Sequence, residues 1–496
     1  MTPAMEFGLW TAAEATAATN GRTDSEWRAE GVSIDSRMVT PGDLFIAIRG
    51  PKFDGHDFVA DALAADAAAA VVDHRPEGVD DDAPLLMVND STIALEDLGR
   101  AARRRTDAKI IAITGSVGKT STKEALRCVL ERQGRCIASE GSYNNHWGVP
   151  LSLSRMPEDT AFGIFEIGMN HAGEITPLTK MVSPHVAVIT NVEAVHSANF
   201  ESIEAIAAAK AEIFQGLAAD GAAVLNRDST LYDHLHAAAI ASNVKTVIGF
   251  GGHPEARVRV TQVSLDGEGS IIGALVDGEE ITYRIGLPGR HWVMNSLAVL
   301  AAVFAAGGAV AEAAAALSAI HGIKGRGLQH TVALEDGSFT VIDESYNASP
   351  VSMRAALEIL GQLPPEGNGR RIAVLGDMLE LGDQSEDAHR ELAETLIAEK
   401  IDLVFTAGQH MAALWAVLPE SMRGGNAISA AEVLAPVIDA IRPGDVIVEV
   451  GQEEVATPDD VIAKVDEQRA QNKNTVLLLL DRKGDLQFIA VRLEES

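Results

Sequence analysis

The stretch Ile110-Ile111-Ala112-Ile113-Thr114-Gly115-Ser116-Val117-Gly118-Lys119-Thr120-Ser121 constrains this chain more than any other. Its apolar start predicts a buried strand, two glycines follow, and the text from Thr120 reads as a helix. A strand that turns through glycines into a helix aims backbone N–H groups and a positive helix end at one point, which suits an anion. Lys119 adds a point charge matched to β- and γ-phosphates, and the Thr120 hydroxyl suits Mg²⁺. A full P-loop has four residues between its glycines, whereas Gly115 and Gly118 enclose only Ser116 and Val117, so the strict form is not met. An ordinary strand-to-helix turn is the bland alternative, and the Lys-Thr pair favours phosphate over it.

The same alternation recurs downstream. Phe162 to Ile167, Val186 to Thr190 and Ala222 to Asn226 read as strands, with a helix over Ile203 to Leu217. A strand-rich insert, Val258 to Ile285, precedes a helix over Val293 to Ala306. From about Gly325 a further unit reads as strands Thr340 to Ile342, Ile372 to Leu375 and Leu403 to Ala407, then a helix from Ala430 to Ile441. This order predicts α/β architecture built on parallel sheets. Ahead of it, Leu44 to Ile48 reads as a buried strand after the turn Pro41-Gly42-Asp43. Ala60 to Ala70 reads as an alanine-rich helix, Val71-Val72 as a strand start, and Arg103-Arg104-Arg105 as a solvated helix end. At 496 residues the chain has room for three domains at about 150 residues each.

Charge narrows the partners. The formal net charge is −31, and no basic run or patch offers the footprint that nucleic acid requires, so no nucleic-acid binding is expected. An anionic substrate would then be held by local basic residues and backbone N–H groups. Cys128 and Cys136 form neither a metal-binding spacing nor a disulfide framework, which reads as reduced, structural cysteines. Met1 to Trp10 lacks the pattern of a signal peptide, and the apolar run Val476 to Leu480 is too short to span a bilayer. A cytoplasmic enzyme is the expectation.

Glu166 ends a buried strand, where an unpaired carboxylate is costly; a Mg²⁺ partner or a salt bridge to a neighbouring base would offset that cost. His196 and Lys210, taken alone, read as a surface histidine and a solvated helix lysine.

The shortened Thr-Gly-x-x-Gly-Lys-Thr loop resembles that of the Mur ligase superfamily, which also includes folylpolyglutamate synthase. Further stretches resemble the members that add D-alanyl-D-alanine: Asp35-Ser36-Arg37 with Pro41 to Phe45, Phe53-Asp54-Gly55-His56, Asn144-Asn145 with Gly148-Val149-Pro150, and Glu166 to Ile175. Ala209 to Phe214, Asp343 to Pro350 and Leu375 to Gly382 continue the likeness, which covers about 31–445 in order. The resemblance implies a UDP-substrate domain over 1–106, a central ATPase over 107–324 and a Rossmann-like domain over 325–445. It implies an ATP-dependent amide ligase of peptidoglycan synthesis, acting through an acyl phosphate on UDP-N-acetylmuramoyl-tripeptide and D-alanyl-D-alanine, as a monomer. Other superfamily amino-acid ligases are its rival within the enzyme class.

Residue by residue, the resemblance implies that Thr114, Gly115, Ser116, Val117, Gly118, Lys119, Thr120 and Ser121 bind ATP, together with Asn295 at adenine, Arg326 at a phosphate, and Asp343. Thr120, Glu166, His196 and Lys210 are implied to hold two Mg²⁺ ions, Lys210 after taking up CO₂ as a carbamate. Lys119, Glu166, His196 and Lys210 are the implied catalytic set, and Ser36, Arg37, Asn144, Asn145, Tyr346 and Asn347 the implied substrate contacts. Trp292 stands where a polar residue is expected.

Past Arg442-Pro443-Gly444-Asp445-Val446 the text departs from the family's Lys-Gly-Ser ending. Asp445 to Val450 reads as a strand, Thr457-Pro458-Asp459-Asp460 as a helix start, and Val476 to Leu480 with Leu486 to Leu493 as a hairpin. This tail, 446–496, resembles the second half of a PDZ domain of HtrA-type proteases, or is a lineage-specific ligase ending. A nucleotide-binding protein with impaired ligase activity is therefore the alternative function.

Overall fold

The structure is a computed structural model, which describes residues 8–141, 143–193, 199–266, 269–320, 322, 325–334, 336–346, 348–450, 475–482 and 485–492. The chain divides at residues 321/322 into two compact units.

The first unit opens with a two-stranded ribbon, β1 (Trp10–Thr11) with β2 (Arg28–Ala29), around helix α1 (Ala12–Thr19). A parallel four-stranded sheet follows, β3 (Gly31–Ser33), β4 (Asp43–Ile46), β5 (Ala69–Val72) and β6 (Leu85–Met87), in that order. Helices α2 (Val59–Ala64) and α3 (Ser91–Arg104) accompany it. The alanine-rich helix is shorter than expected. It stops at Ala64, Asp66 turns the chain at a left-handed φ of 63°, and Ala69 and Ala70 enter β5. Alanine is the strongest helix former, so propensity alone extends the helix over Ala69 and Ala70, which pairing with β4 and β6 draws into the sheet.

A nine-stranded sheet forms the centre of the unit: β7 (Lys109–Thr114), β8 (Cys136–Ala138), β9 (Phe162–Glu166), β10 (Val186–Ile189), β11 (Ala222–Asn226), β12 (Thr246–Gly251), β13 (Val258–Asp266), β14 (Gly269–Val276) and β15 (Glu279–Ile285). Its order is β15-β14-β13-β12-β11-β10-β7-β9-β8, parallel except for the antiparallel meander β13-β14-β15. Ile110 to Ile113 of β7 are fully buried between β9 and β10, as strands covered on both faces require. Around the sheet lie α4 (Lys119–Leu130), α5 (Gly148–Ser154), α6 (Ile175–Val182), α7 (Ile203–Ala211), α8 (Tyr232–Ala241) and α9 (Arg290–Ala306). The helix expected to Leu217 tightens to a 3₁₀ turn at Glu212–Gly216. Trp292 is buried on α9, which is why an apolar residue occupies that position.

The second unit is a six-stranded sheet of β16 (Leu328–Leu334), β17 (Gly337–Asp343), β18 (Arg371–Gly376), β19 (Leu403–Ala407), β20 (Arg423–Ala427) and β21 (Val446–Val450). The order β16-β17-β21-β18-β19-β20 places the last strand in the interior, and only β16 runs antiparallel. The sequence offers no expectation for β16, whose residues are all exposed or half-exposed, as on a sheet edge. The tail hairpin forms, β22 (Thr475–Arg482) with β23 (Asp485–Arg492), while the helix expected at Thr457 lies outside the described residues. Cys128 and Cys136 are free, and burial pushes the Cys136 thiol up to about 12. Among the described residues no helix is long and apolar enough to cross a membrane.

The basic cluster is not a solvated helix end. Arg103 donates to the carbonyls of Val182 and Ser183 at 2.8 and 2.9 Å. Arg105 donates to those of Leu9 and Met156 at 3.0 Å each, with its guanidinium 4.1 Å from the ring of Trp10. Both side chains tie α3 and the residue after it to the layers on either side, and burial lowers the pKa of each. Arg105→Met should lower unfolding free energy by about 1–3 kcal/mol, because it strands buried carbonyls. Arg104→Met, at an exposed position, should have no such effect. Urea midpoints that coincide for the two variants would refute the structural role of Arg105.

Candidate active site

The turn between β7 and α4 is built by backbone geometry that only glycine accepts. Gly115 has φ 152° and Gly118 φ 83°. A Cβ on Gly115 would lie 2.0 Å from the hydroxyl of Thr190, and one on Gly118 would lie 2.8 Å from Oδ1 of Asn295. The loop is also fastened. Thr190 Oγ1 donates to the Val117 carbonyl at 2.6 Å, and Ser116 N donates to the Asn191 carbonyl at 2.9 Å. The Ser116 hydroxyl donates to the Glu193 carbonyl and accepts the Glu193 N–H, both at 3.0 Å. Lys119 heads α4 and donates to the carbonyls of Gly115 and Ser116 at 2.7 and 3.4 Å. Thr114, Thr120 and Ser121 are buried.

Glu166, at the end of β9, is 2% exposed. Its Oε2 accepts from Thr120 Oγ1 at 2.8 Å, and its Oε1 accepts from Asn144 Nδ2 at 2.9 Å. No basic side chain pairs with it among the described residues. Of the two sequence readings, the salt bridge is therefore not the one the structure takes. A buried carboxylate held by a hydroxyl and an amide, beside an anion-binding loop, is a donor set that fits a hard divalent cation.

Lys210, on α7, is also 2% exposed, and its amine has no hydrogen-bond partner among the described residues. Burial, then the nearby charge of Lys119, lowers its pKa well below the ordinary lysine value. It is not the solvated helix lysine that its local sequence suggests. Glu212 fixes the end of that helix: its carboxylate accepts from Gly173 N at 2.6 Å and from Thr176 N and Oγ1 at 3.0 Å each. A buried amine with a lowered pKa and a cationic neighbour has the chemistry that carbamate formation requires.

Other residues singled out by sequence take different places. Asn145 Oδ1 accepts from Trp147 N and Gly148 N at 3.1 and 2.9 Å, so its carbonyl is spent on opening α5. Ser36 and Arg37 lie on a 3₁₀ turn after β3, where Arg37 pairs with Asp35 at 2.7 Å. In the second unit, Asp343 accepts from Gly325 N, Ser345 N and the Ser345 hydroxyl, and Arg326 stacks 4.4 Å from the ring of Tyr346. Burial pushes the neighbouring Glu344 carboxyl up to about 8. His196 and Asn347 lie outside the described residues. Thr190, Ser139 and Lys123 belong to the first cluster, yet nothing local in the sequence marks them.

A nucleotide-type loop on a parallel sheet, with the buried Glu166 carboxylate hydrogen-bonded to Thr120 and the buried Lys210 near Lys119, fits an ATP-dependent ligase better than a plain phosphate turn. The comparisons agree with that class. Residues 28–105 match the Mur ligase family catalytic domain, 113–303 the Mur ligase middle domain, and 329–452 the Mur ligase glutamate ligase domain. The chain belongs to the Mur ligase family.

It is 38% identical over 379 residues to the UDP-N-acetylmuramoyl-tripeptide–D-alanyl-D-alanine ligase of Bacillus subtilis, covering 76% of this chain and 80% of that one. The Escherichia coli protein of the same name is 33% identical over 385 residues, 78% of this chain and 82% of its own. The crystal structure of MurF from Acinetobacter baumannii superposes with a TM-score of 0.76 at 29% identity, covering 92% of this chain and 99% of that one. The likeness to a PDZ half-domain in the tail finds no support.

The buried lysine makes a prediction about stability. Its pKa is depressed on folding, so between the folded value and the unfolded value near 10.5 the unfolded chain binds the extra proton. Stability from this group is therefore low at neutral pH and rises with pH across that window, by at most about 1.4 kcal/mol per unit. In CO₂-free buffer, the difference in urea midpoint between Lys210→Met and the parent should shrink as pH rises. A difference independent of pH would contradict a neutral Lys210.

Proposed function

We propose that this protein is an ATP-dependent ligase that joins D-alanyl-D-alanine to UDP-N-acetylmuramoyl-tripeptide in the synthesis of peptidoglycan precursor. The observation that carries the reading is the junction of Thr120, Glu166 and Asn144 behind the shortened phosphate loop, with the buried Lys210 close enough to feel the charge of Lys119. The names of the relatives supply the substrates. The protein acts in the cytoplasm, as a monomer.

In this reading the loop Thr114 to Ser121 holds the phosphates of ATP, and Asn295, which stands against Gly118, reads the adenine edge. Thr120, Glu166, His196 and carbamoylated Lys210 would hold two Mg²⁺ ions, and such ions would supply positive charge to offset that on the phosphates. Carbamate formation takes one CO₂ onto the neutral amine and releases one proton, leaving an anion that Lys119 attracts. Asn144, Asn145, Ser36 and Arg37 face the UDP-linked substrate, while Arg326, Asp343, Tyr346 and Asn347 serve the nucleotide and the incoming dipeptide.

The tripeptide's terminal carboxylate oxygen attacks the γ-phosphorus, and ADP leaves. The amine of D-alanyl-D-alanine then attacks the acyl phosphate, an amide forms, and inorganic phosphate leaves with the amine's proton passing to solvent. Lys119 places its charge beside the phosphoryl group during the first step.

ADP release with UDP-tripeptide and a panel of amines tests the assignment, run on the parent chain and on one whose residues 447–496 are exchanged for a Lys-Gly-Ser ending. D-alanyl-D-alanine should be the amine that supports turnover. Turnover with a single amino acid but not with the dipeptide would overturn the reading. The second reading, a nucleotide binder with impaired turnover, is favoured by the tail hairpin, which forms a sheet of its own. It predicts a gain in the exchanged chain and is refuted if the parent already matches it. Lys210→Ala should lose activity that short carboxylates in the buffer partly restore. Full activity without additive would remove the carbamate from the mechanism.

A further inference from the structure

Lys123 is a lysine with no exposed surface at all, and the reading above gives it no part. A buried ammonium is costly unless its donors are used. Here they are: Nζ donates to the carbonyls of Ser139 at 2.7 Å and Gly141 at 3.0 Å, and lies 3.0 Å from Oε1 of Glu124. Lys123 sits on α4, one helical turn beyond Thr120. The same helix therefore offers a hydroxyl to Glu166 and an ammonium to the segment after β8.

That segment leads to the far side of Glu166. Ser139 N donates to the Ile164 carbonyl at 3.0 Å, and its hydroxyl accepts the Glu166 N–H at 3.3 Å. Asn144 then reaches Glu166 Oε1, and its own carbonyl accepts from Gly168 N at 2.9 Å. A Cβ on Gly168 would lie 2.8 Å from the Asn144 amide oxygen, so the fit there leaves no slack.

A second cation holds the segment from the other side. Arg155 donates to the Val32 carbonyl of β3 at 2.7 Å, pairs with Glu140, and has its guanidinium 5.9 Å from the ring of Tyr143. Val32 lies three residues before Asp35 in the stretch Asp35-Ser36-Arg37.

We propose that Lys123 is a positioning residue: its buried ammonium, opposed by Arg155, holds the Ser139–Gly141 segment so that Asn144 is set against Glu166 and the UDP-linked substrate is bound in register with the phosphate loop. The inference rests on the reading that Asn144 faces that substrate. A neutral side chain of similar length would fill the same space without using three donors, so the charge serves the carbonyls it touches. The ammonium does not touch the phosphate loop, so nucleotide affinity should not depend on it.

The test is calorimetric titration of the full chain with ADP, and then with UDP-N-acetylmuramoyl-tripeptide in the presence of ADP. Lys123→Met and Arg155→Gln should each weaken binding of the UDP-tripeptide by about tenfold or more while ADP affinity stays within about threefold, as misplacement of a single contact segment implies. Lys123→Arg should recover part of the loss. Equal losses for both ligands, or no loss for the UDP-tripeptide, overturn the inference. Asn144→Ala separates the two failures. Weakened binding in Asn144→Ala with unchanged binding in Lys123→Met refutes the role of Lys123 alone. Unchanged binding in Asn144→Ala refutes the substrate reading, and the inference falls with it. Should Lys123→Met fail to fold, the half-buried Arg155→Gln gives the deciding measurement.

Discussion

The buried carboxylate of Glu166 is the group around which the first unit is organised. Each of its oxygens takes one hydrogen bond, from Thr120 on the phosphate-loop helix and from Asn144 on the segment after β8. A carboxylate 2% exposed with no basic partner among the described residues is destabilising on its own, and it persists because the strand that carries it is over-determined. β9 is parallel-paired on both sides, with β7 and β8. The phosphate loop leaves β7 on one flank, and the Asn144 segment leaves β8 on the other. Sheet register therefore brings the two arms to the same carboxylate.

Charge in this protein is arranged by burial more than by number. The chain carries a net charge of −31, yet the cations that matter are enclosed: Lys123 completely, Lys210 almost so, and Arg103 and Arg105 in part. They divide by their partners. Lys123, Arg103 and Arg105 each donate to two backbone carbonyls far along the chain or across a turn, and Lys123 also pairs with Glu124. Lys210 has no such partner among the described residues, and burial lowers its pKa well below the ordinary lysine value. Enclosure without a counter-charge is what sets Lys210 apart from an ordinary helix lysine.

The phosphate loop, the parallel α/β pattern and the strand ends of β9, β10, β11 and β19 were legible in the chain. Their signals are local: apolar runs, glycines at a turn, and a hydroxyl beside a lysine. Legibility failed where a residue's neighbours come from far along the chain. Arg103 and Arg105 looked solvated because their carbonyl partners are as far off as Val182 and Leu9. β16 carries no signal of its own because its apolar residues, Leu328, Val332, Ala333 and Leu334, do not alternate with polar ones along the strand. The helix at Ala60 is shorter than its sequence suggests because alanine favours helix on both sides of Asp66, where the chain turns, and strand pairing overrides that preference beyond it.

By itself, then, the sequence determined the elements and the kind of anion the β7–α4 turn can hold, because strand burial, glycine turns and helix starts are set by residues within a few positions of one another. It also carried, by resemblance, membership of the Mur ligase family. Only the tertiary structure decided which side chains meet at the carboxylate, that the Asn145 side-chain carbonyl opens α5, that burial lowers the Lys210 pKa and that Lys123 donates to the carbonyls of Ser139 and Gly141. Those outcomes depend on sheet order, which sets β9 between β7 and β8 although β9 follows both in the chain. No local spacing encodes that order, and the desolvation that shifts a lysine or permits a buried carboxylate exists only once the layers have closed around it.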